Sequence, residues 1–268
     1  MFALLFLAMG TLSTSAQSPQ KIYSNLDNAA SISVTQNHIY IVEKGKNRLL
    51  KLDYSGKLVE TIGGRGSGDY EFSKPVDVDA TNGLKIFVTD YNNRRVQVFD
   101  RRAQYLSSIE GRTSFGNSRR YNPTQIAVSG LGEVYFADDE SRLTHHFDLD
   151  YNLLDEFRIP GQIKSVDELI VREGEINILD RTSETIHRLA LNGAYRGFYP
   201  AEKVLAIFAQ DSGTWMVYKD KVIYEPKTGE GYTLNLETII PAVDVHVERE
   251  GIFILTKTAL FKLPAPLR

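Results

Sequence analysis

Six short apolar runs recur along the chain, and most of them end in an acidic residue. They are HIYIVE ending at Glu43, KIFVTD at Asp90, EVYFAD at Asp138, EINILD at Asp180, TWMVYK at Lys219 and GIFILT at Thr256. Their spacing is roughly 37 to 48 residues, the period of one blade in a propeller array. None of the runs has a helical period, and the turn-forming residues between them are typical of strands. The repeat therefore predicts an all-β chain built from six similar sheets.

The clearest unit spans residues 72–109 and predicts a four-stranded antiparallel meander. Its predicted strands cover residues 76–78, 85–89, 95–99 and 105–109, with Asn, Asp and Gly at the corners between them. Ile86, Phe87 and Val88 are consecutive, so their side chains project from both faces of one strand. A small sheet that is apolar on both faces is marginal by itself. Neighbouring copies of the unit are expected to cover it.

The remaining blades follow from the same pattern. Blade one is predicted at residues 29–62, blade three at 125–159, blade four at 164–199, blade five at 204–240 and blade six at 243–263. Blade six then lacks an outer strand, while residues 21–26 (KIYSNL) have no blade of their own. We expect residues 21–26 to pair with residues 259–263, because this closes the ring and leaves no exposed sheet edge. The prediction is a six-bladed β-propeller that forms one domain over residues 17–268.

Residues 1–16 (MFALLFLAMGTLSTSA) are apolar and end in small residues. This pattern is typical of a secretory signal peptide cleaved before Gln17, and its apolar part is too short to span a bilayer. The alternative is an N-terminal strand. No Lys or Arg precedes the apolar run, which suggests a true start upstream of Met1. We expect an exported protein, periplasmic or extracellular, without a transmembrane segment.

Composition narrows the choice of partners. The chain has no cysteine, so we expect an exported fold held by packing without disulfides. A net charge of −3 and a pI near 6.0 disfavour nucleic acid and acidic membrane surfaces as partners. The mature chain of about 250 residues is long enough for a sizeable core. We expect a monomeric propeller.

The segment GSGDYEFSKPVDVDATNGLKIFVTDYNNRRVQVFD, which ends at Asp100, closely resembles the NHL repeat. In that family a Gly-rich approach, an aromatic residue and a Pro precede a V-x-D-x-x-N-x-R-[IV]-Q-V-F-D run. The matching positions are Gly66, Gly68, Phe72, Pro75, Val88, Asp90, Asn93, Arg95, Val96, Gln97, Val98, Phe99 and Asp100. Blades one, three and four keep part of the pattern, and blades five and six depart widely. The resemblance implies a six-bladed ring in which the Asp and Arg fix the turn between the second and third strands.

The resemblance leaves the activity open, because a propeller is a scaffold for many functions. NHL-type propellers include protein- and RNA-binding modules and a metal-dependent lyase that cleaves peptidyl-hydroxyglycine, and related six-bladed rings include lactonases. A lyase-like zinc site requires several histidines at the axis. Only His246 is predicted on an inner strand, and the other four histidines are predicted on second or third strands: His38, His145, His146 and His187.

A lactonase-like calcium site requires oxygen ligands on the inner strands. Asp77 and Asp244 occupy similar places in blades two and six, whereas blade four is expected to bring only Lys164 and Ser165 to the axis. Asp77, Asp244 and His246 are therefore the candidate ligands of an axial divalent cation. The alternative is that the carboxylates accept backbone hydrogen bonds or lie in a solvated channel.

Two long connections flank blade two on one face of the predicted ring, while those near Pro160, Pro200 and Pro241 are expected to be short. The long connections carry Arg65, Asp69, Tyr70, Arg112, Phe115, Arg119, Arg120 and Tyr121. Aromatic and Arg residues are common in recognition surfaces, and loops on rigid scaffolds are common binding sites. We hypothesise that this face binds an envelope protein, an extracellular peptide or an anionic ligand. The alternative is that these loops are ordinary, solvated blade junctions.

Two function classes remain after these considerations. The favoured one is an exported, non-catalytic binding or scaffolding propeller without a cofactor. The other is a hydrolase or lyase, lactonase-like or amidating-lyase-like, that depends on an axial divalent cation. RNA binding is disfavoured by the export signal and by the near-neutral charge.

Overall fold

Six four-stranded antiparallel sheets follow one another along the chain and form a propeller. The computed structural model describes residues 12–13, 16–111, 113–114, 117–118 and 120–264. The innermost strand of each sheet lies beside the innermost strands of the two neighbouring sheets, and the last contacts the first. The predicted all-β class and the count of six blades are confirmed.

The first three blades follow the predicted order from the axis outwards. Blade one comprises Ala29–Val34, Ile39–Glu43, Arg48–Leu52 and Leu58–Gly63. Blade two comprises Pro75–Asp79, Lys85–Asp90, Arg95–Asp100 and Tyr105–Glu110. Blade three comprises Pro123–Val128, Val134–Asp138, Leu143–Phe147 and Leu153–Arg158.

The second half of the ring completes the circle. Blade four comprises Glu168–Arg172, Glu175–Asp180, Thr185–Ala190 and Tyr195–Pro200. Blade five comprises Ala206–Gln210, Gly213–Val217, Lys221–Pro226 and Tyr232–Asn235. Blade six comprises Ala242–Glu248, Gly251–Thr256, Ala259–Leu263 and, as its outer strand, Gln20–Ser24.

The inner strand of blade four begins later than predicted. Lys164 and Ser165, expected on that strand, lie in the connection that precedes Glu168–Arg172. There the Lys164 amide and the Ser165 hydroxyl donate to Asp180, which holds both residues off the axis. The connection from blade three to blade four thus covers residues 159–167 and is longer than the sequence suggested.

The core lies between the blades. Ile86 and Val88 pack against blade one, while Phe87, between them in the chain, packs against blade three. Burial of three consecutive side chains therefore needs a neighbour on each face of the strand. This is the physical reason why the unit occurs only as part of a ring.

The acidic residue at the end of the second strand has the same structural role in four blades. Its carboxylate accepts a hydrogen bond from a backbone amide just before the inner strand of its own blade. The pairs are Asp27 to Glu43, Ser73 to Asp90, Asn122 to Asp138 and Lys164 to Asp180. The acid thus fastens each incoming connection to the blade that it enters. Blades five and six have no acid at this position, which agrees with their weaker sequence pattern.

The N-terminal segment closes the ring as predicted. Gln20–Ser24 pairs antiparallel with the third strand of blade six, Ala259–Leu263. Ile22, Tyr23 and Leu26 pack into the core between blades six and one. The last sheet therefore obtains its outer strand from the beginning of the chain.

Little of the predicted signal peptide lies in the described part of the chain. Residues 1–11, 14 and 15 lie outside it. Leu12–Ser13 runs parallel to the outer strand of blade five beside Tyr232 and Thr233. Cleavage before Gln17 stays a prediction. Within the described residues, no helix has the length and apolarity needed to cross a bilayer.

Candidate functional site

A narrow polar channel of about 80 Å³ follows the axis between the inner strands. Four carboxylates line it: Asp77 and Asp79 of blade two (the latter accepts from the Val128 amide at 2.7 Å), Glu168 of blade four and Asp244 of blade six. Each accepts a hydrogen bond from an inner-strand amide of the next blade. The other donors are Ile126 at 2.7 Å for Asp77, Ile207 at 2.8 Å for Glu168 and Ile32 at 2.7 Å for Asp244. These bonds connect neighbouring blades around the axis.

Burial changes the ionisation of Asp77, Glu168 and Asp244. It raises the pKa of Asp77 to about 8 and that of Asp244 to about 6. It also raises the pKa of Glu168 well above the ordinary value, and the charge of Asp244 adds to the effect. The cause is the loss of water around a charge, which the amide donors offset only in part. The channel therefore favours the protonated form of Asp77 at neutral pH, whereas Asp244, with a pKa of about 6, is mostly ionised there.

The predicted cation ligands do line the channel, but they do not form a metal cluster. No group of three His, Asp or Glu side chains with the geometry to hold an ion occurs among the described residues. Asp77 and Asp244 are engaged with backbone amides, and His246 packs on Phe208 with ring centroids 4.3 Å apart. Glu168, which the sequence interpretation missed, is a further axial carboxylate. The alternative of backbone hydrogen bonding describes these carboxylates.

A wider depression lies at one end of the channel. We call this end the mouth face; it carries the blade-to-blade connections and the turns between second and third strands. The mouth depression has a volume of about 580 Å³. Its walls include Asn28, Lys44, Lys74, Tyr91, Thr124, Gln125, Asp139, Asp167, Arg181 and Lys257. Val76 and Val243 on its floor directly precede Asp77 and Asp244, so the depression leads into the axial channel.

One side of the depression carries an arc of three lysines, Lys44, Lys74 and Lys257, from blades one, two and six. Among the described residues, no carboxylate lies within ion-pair distance of their ammonium groups. Burial lowers the pKa of Lys44, and the charges of Lys74 and Lys257 lower it further. The Lys74 ammonium lies 4.2 Å from the ring centroid of Tyr91. Three unpaired cations in one concavity are an electrostatic site for an anion.

The opposite side of the depression is acidic. The charge of Arg181 on this side is already paired, since Arg181 donates to Glu168 at 3.0 Å and lies 3.6 Å from Asp167. It also donates to the Val243 carbonyl at 3.2 Å. Asp139 lines the same side and makes no hydrogen bond or ion pair within the described part of the chain. The depression thus has a cationic wall and an acidic wall.

The described members of the predicted recognition set belong to blade-to-blade connections of the mouth face, but none of them lines the depression. Arg65, Asp69 and Arg120 are exposed. Tyr70 is 38% exposed and leans on the outer part of blade two, where its hydroxyl accepts from the Tyr105 amide at 2.8 Å. Arg112, Phe115 and Arg119 lie outside the described residues.

Tyr121 corrects the predicted surface. It is only 5% exposed, and its ring packs against Phe136, His145 and Phe147. An aromatic residue that follows a charged loop reads as surface in the sequence, but here it fills the interface between blades two and three. Its ring is therefore part of the core.

One repeated sequence position marks the walls of the depression. The residue that directly follows each repeated second strand is Lys44, Tyr91, Asp139, Arg181, Tyr218 and Lys257 in blades one to six. Five of these six positions line the depression. Turns between second and third strands meet at one end of the ring, so this position gathers chemically different side chains around the axis. Lys74 joins them from a blade-to-blade connection.

Comparison with known proteins agrees with this architecture. A model of the NHL repeat matches residues 72–99, which cover most of blade two. The human E3 ubiquitin-protein ligase NHLRC1 is 26% identical over 113 residues, 42% of this chain and 27% of that protein. The chain thus spans about a quarter of the length of this relative. Residues 72–99 therefore match the NHL repeat, and the fold around them is a six-bladed β-propeller.

Solved structures of similar shape include two enzymes. The gluconolactonase from Xanthomonas campestris has a TM-score of 0.63 at 13% identity, covering 92% of this chain and 89% of that one. Virginiamycin B lyase from Staphylococcus aureus has a TM-score of 0.60 at 13% identity, covering 94% of this chain and 89% of that one. At this identity the likeness concerns the fold alone.

Proposed function

We propose that this protein is an exported, non-catalytic binding propeller whose mouth depression recognises an acidic segment of a protein or peptide. The observation that carries the proposal is the lysine arc of Lys44, Lys74 and Lys257, whose ammonium groups share one concavity without a carboxylate partner in the described chain. A depression of this size lies within the range of about 300–1,000 Å³ that is usual for ligand sites. Export rests on the pattern of residues 1–16.

Two features favour binding over catalysis. Asp77 and Asp244 accept hydrogen bonds from backbone amides of neighbouring blades, which suits a structural role. The NHL repeat is also common in modules that bind proteins. The acidic wall opposes a uniform polyanion, so a peptide fits the depression better than a nucleic acid.

The test uses a capped peptide with two adjacent glutamates flanked by glycines, titrated against the full chain by ligand-observed NMR. The triple variant Lys44→Gln/Lys74→Gln/Lys257→Gln should bind the peptide about tenfold more weakly, because several partly shielded charge interactions are lost together. Its matched control, Lys21→Gln/Lys57→Gln/Lys227→Gln, removes the same charge from exposed sites and should change the affinity less than about twofold.

If the two triple variants bound the peptide with equal affinity, the proposal would be wrong. A single-stranded RNA oligonucleotide serves as the competing probe. If it bound more tightly than the peptide and with the same dependence on the lysine arc, the ligand class would be nucleic acid and the peptide assignment would be wrong.

A further inference from the structure

The mouth depression also contains an acidic residue, Asp139, whose presence is not explained by the binding of an anion. Its carboxylate lines the wall opposite the lysine arc and has no hydrogen-bond or ion-pair partner within the described residues. Burial raises its pKa; Arg142 opposes that shift, whereas the charges of Asp138 and Asp167 add to it. A carboxylate in this place weakens the binding of a simple anion.

Arg142 lowers the pKa of Asp139, but its guanidinium donates to the Ile163 carbonyl and forms no ion pair with Asp139 among the described residues. Arg181 is the one cation of the acidic wall that lines the depression, and it is held by Glu168 at 3.0 Å and by Asp167 at 3.6 Å. The Lys74 ammonium lies over Tyr91, on the other side of the depression. Asp139 therefore faces the depression as a free acceptor for a positive group.

We infer that the mouth depression is a bipolar site, whose ligand is a peptide segment carrying a cationic group beside its anionic one. This inference rests on the proposed function. The anionic group would lie on the arc of Lys44, Lys74 and Lys257, and the cationic group would lie on Asp139. Opposite charges on facing walls also select against ligands of a single sign, because such a ligand meets one repulsive wall.

The chemistry of the depression fits such a segment. Between the two walls lie uncharged polar side chains, Thr124 and Gln125, and the ring of Tyr91. Hydroxyl and amide groups suit the backbone of a peptide that spans the walls. The site thus offers a partner to both charges and to the polar chain between them.

The experiment compares three capped peptides of equal length by ligand-observed NMR. One carries a glutamate and a lysine separated by two glycines, one has glutamine in place of the lysine, and one has glutamine in place of the glutamate. The bipolar peptide should bind the full chain about fivefold more tightly than the glutamate-only peptide, and the lysine-only peptide should be the weakest. Uncapped tetraglycine, whose charges are its termini, tests whether a free chain end can replace the side-chain charges.

Asp139→Asn is the decisive variant because it keeps the shape of the side chain and removes its charge. It should abolish the preference for the bipolar peptide and leave the glutamate-only peptide bound as tightly as before or more tightly. Asp150→Asn, on an exposed turn at the other end of blade three, is the matched control and should keep the preference.

The outcomes separate the two levels of the proposal. If the bipolar and glutamate-only peptides bound the unmodified protein equally, and Asp139→Asn tightened both alike, the bipolar inference would be overturned while anion recognition stood. If neither peptide responded to loss of the lysine arc, the proposed function itself would fail. A preference for tetraglycine that Asp139→Asn abolishes would support the inference and identify a chain terminus as the source of the charges.

Discussion

The carboxylate of Asp90 joins three separate parts of blade two and its incoming connection by hydrogen bonds. Its carboxylate accepts from the Ser73 amide at 2.7 Å, from Asn93 at 2.7 Å and from Arg95 at 3.1 Å. Arg95 in turn donates to the carbonyls of Gly68 and Glu71. The pair thus connects the turn between the second and third strands to the connection from blade one. The role implied by the NHL resemblance, fixing the turn, is extended here to that connection.

Replacing Arg95 should destabilise the fold strongly. In Arg95→Met, the buried Asp90 loses its cation, and we expect the free energy of unfolding to fall by about 3 kcal/mol. Urea denaturation followed by circular dichroism measures this change. Arg101→Met, at an exposed turn, should stay within about 0.5 kcal/mol of the unmodified protein. A loss below 1 kcal/mol in Arg95→Met would show that the pair is dispensable.

The lysine arc illustrates a different use of the same turns. Lys44 and Lys257 directly follow a second strand, where Tyr91 stands in blade two. The acid at the end of the strand fixes the backbone in four blades, which leaves the next residue free to vary in chemistry. The structural role and the proposed binding role thus fall on adjacent positions of one repeat.

At the scale of elements, the closing strand makes the strand pairing with the longest sequence separation among the described residues. Gln20–Ser24 pairs with a strand about 240 residues later in the chain and covers the edge of blade six. A bulge between Lys21 and Tyr23 repeats the bulge found in the outer strands of blades one to four. The closing strand therefore has the geometry of an ordinary outer strand.

A disulfide across the closing pair provides a test. Lys21 and Phe261 are directly paired, and the chain has no cysteine of its own. Lys21→Cys/Phe261→Cys should oxidise within the monomer and raise the free energy of unfolding by about 3 kcal/mol, because a long loop is closed in the unfolded chain. Thiol titration and calorimetry, with and without reductant, measure both effects.

The control is Lys21→Cys/Lys203→Cys, whose second site lies in the connection between blades four and five. It should retain two free thiols. Two free thiols in the closing pair as well, after oxidation of the folded protein, would contradict the closure.

At the scale of the whole molecule, the axial carboxylates couple ring stability to pH. Asp77, Glu168 and Asp244 have raised pKa values in the folded ring, chiefly because of burial. The folded protein therefore binds more protons than the unfolded chain between about pH 4 and the folded pKa values. The stabilisation is complete below that range and is lost as the pH rises through it.

We therefore expect the unmodified protein to lose thermal stability between pH 5 and pH 8. Asp77→Asn should flatten this decline, since the group whose pKa is about 8 no longer titrates. Thermal unfolding followed by circular dichroism at several pH values measures the slope. Asp150→Asn should follow the profile of the unmodified protein. An identical slope in Asp77→Asn would show that the axis does not control the pH dependence.

Local pattern alone determined the architecture. Runs such as KIFVTD are apolar on both faces and are bounded by turn residues, so they predict strands that need neighbours on each side. Their spacing then predicted six blades, and the unpaired KIYSNL segment predicted the closure, because each leftover strand needed a partner. Strand formation, repeat spacing and an unpaired strand are properties of short segments, so they can be read from the sequence directly.

Only the tertiary structure decided which side chains meet. Lys44 and Lys257 share a repeat position that places both at one end of the ring, but only the ring brings blades six, one and two together and adds Lys74 to the same depression. Glu168 reads as a surface acid before an apolar run, yet it is buried at the axis because the Ile207 amide of the next blade requires an acceptor there. Strand patterns report burial within a sheet, whereas the site arises from contacts between sheets.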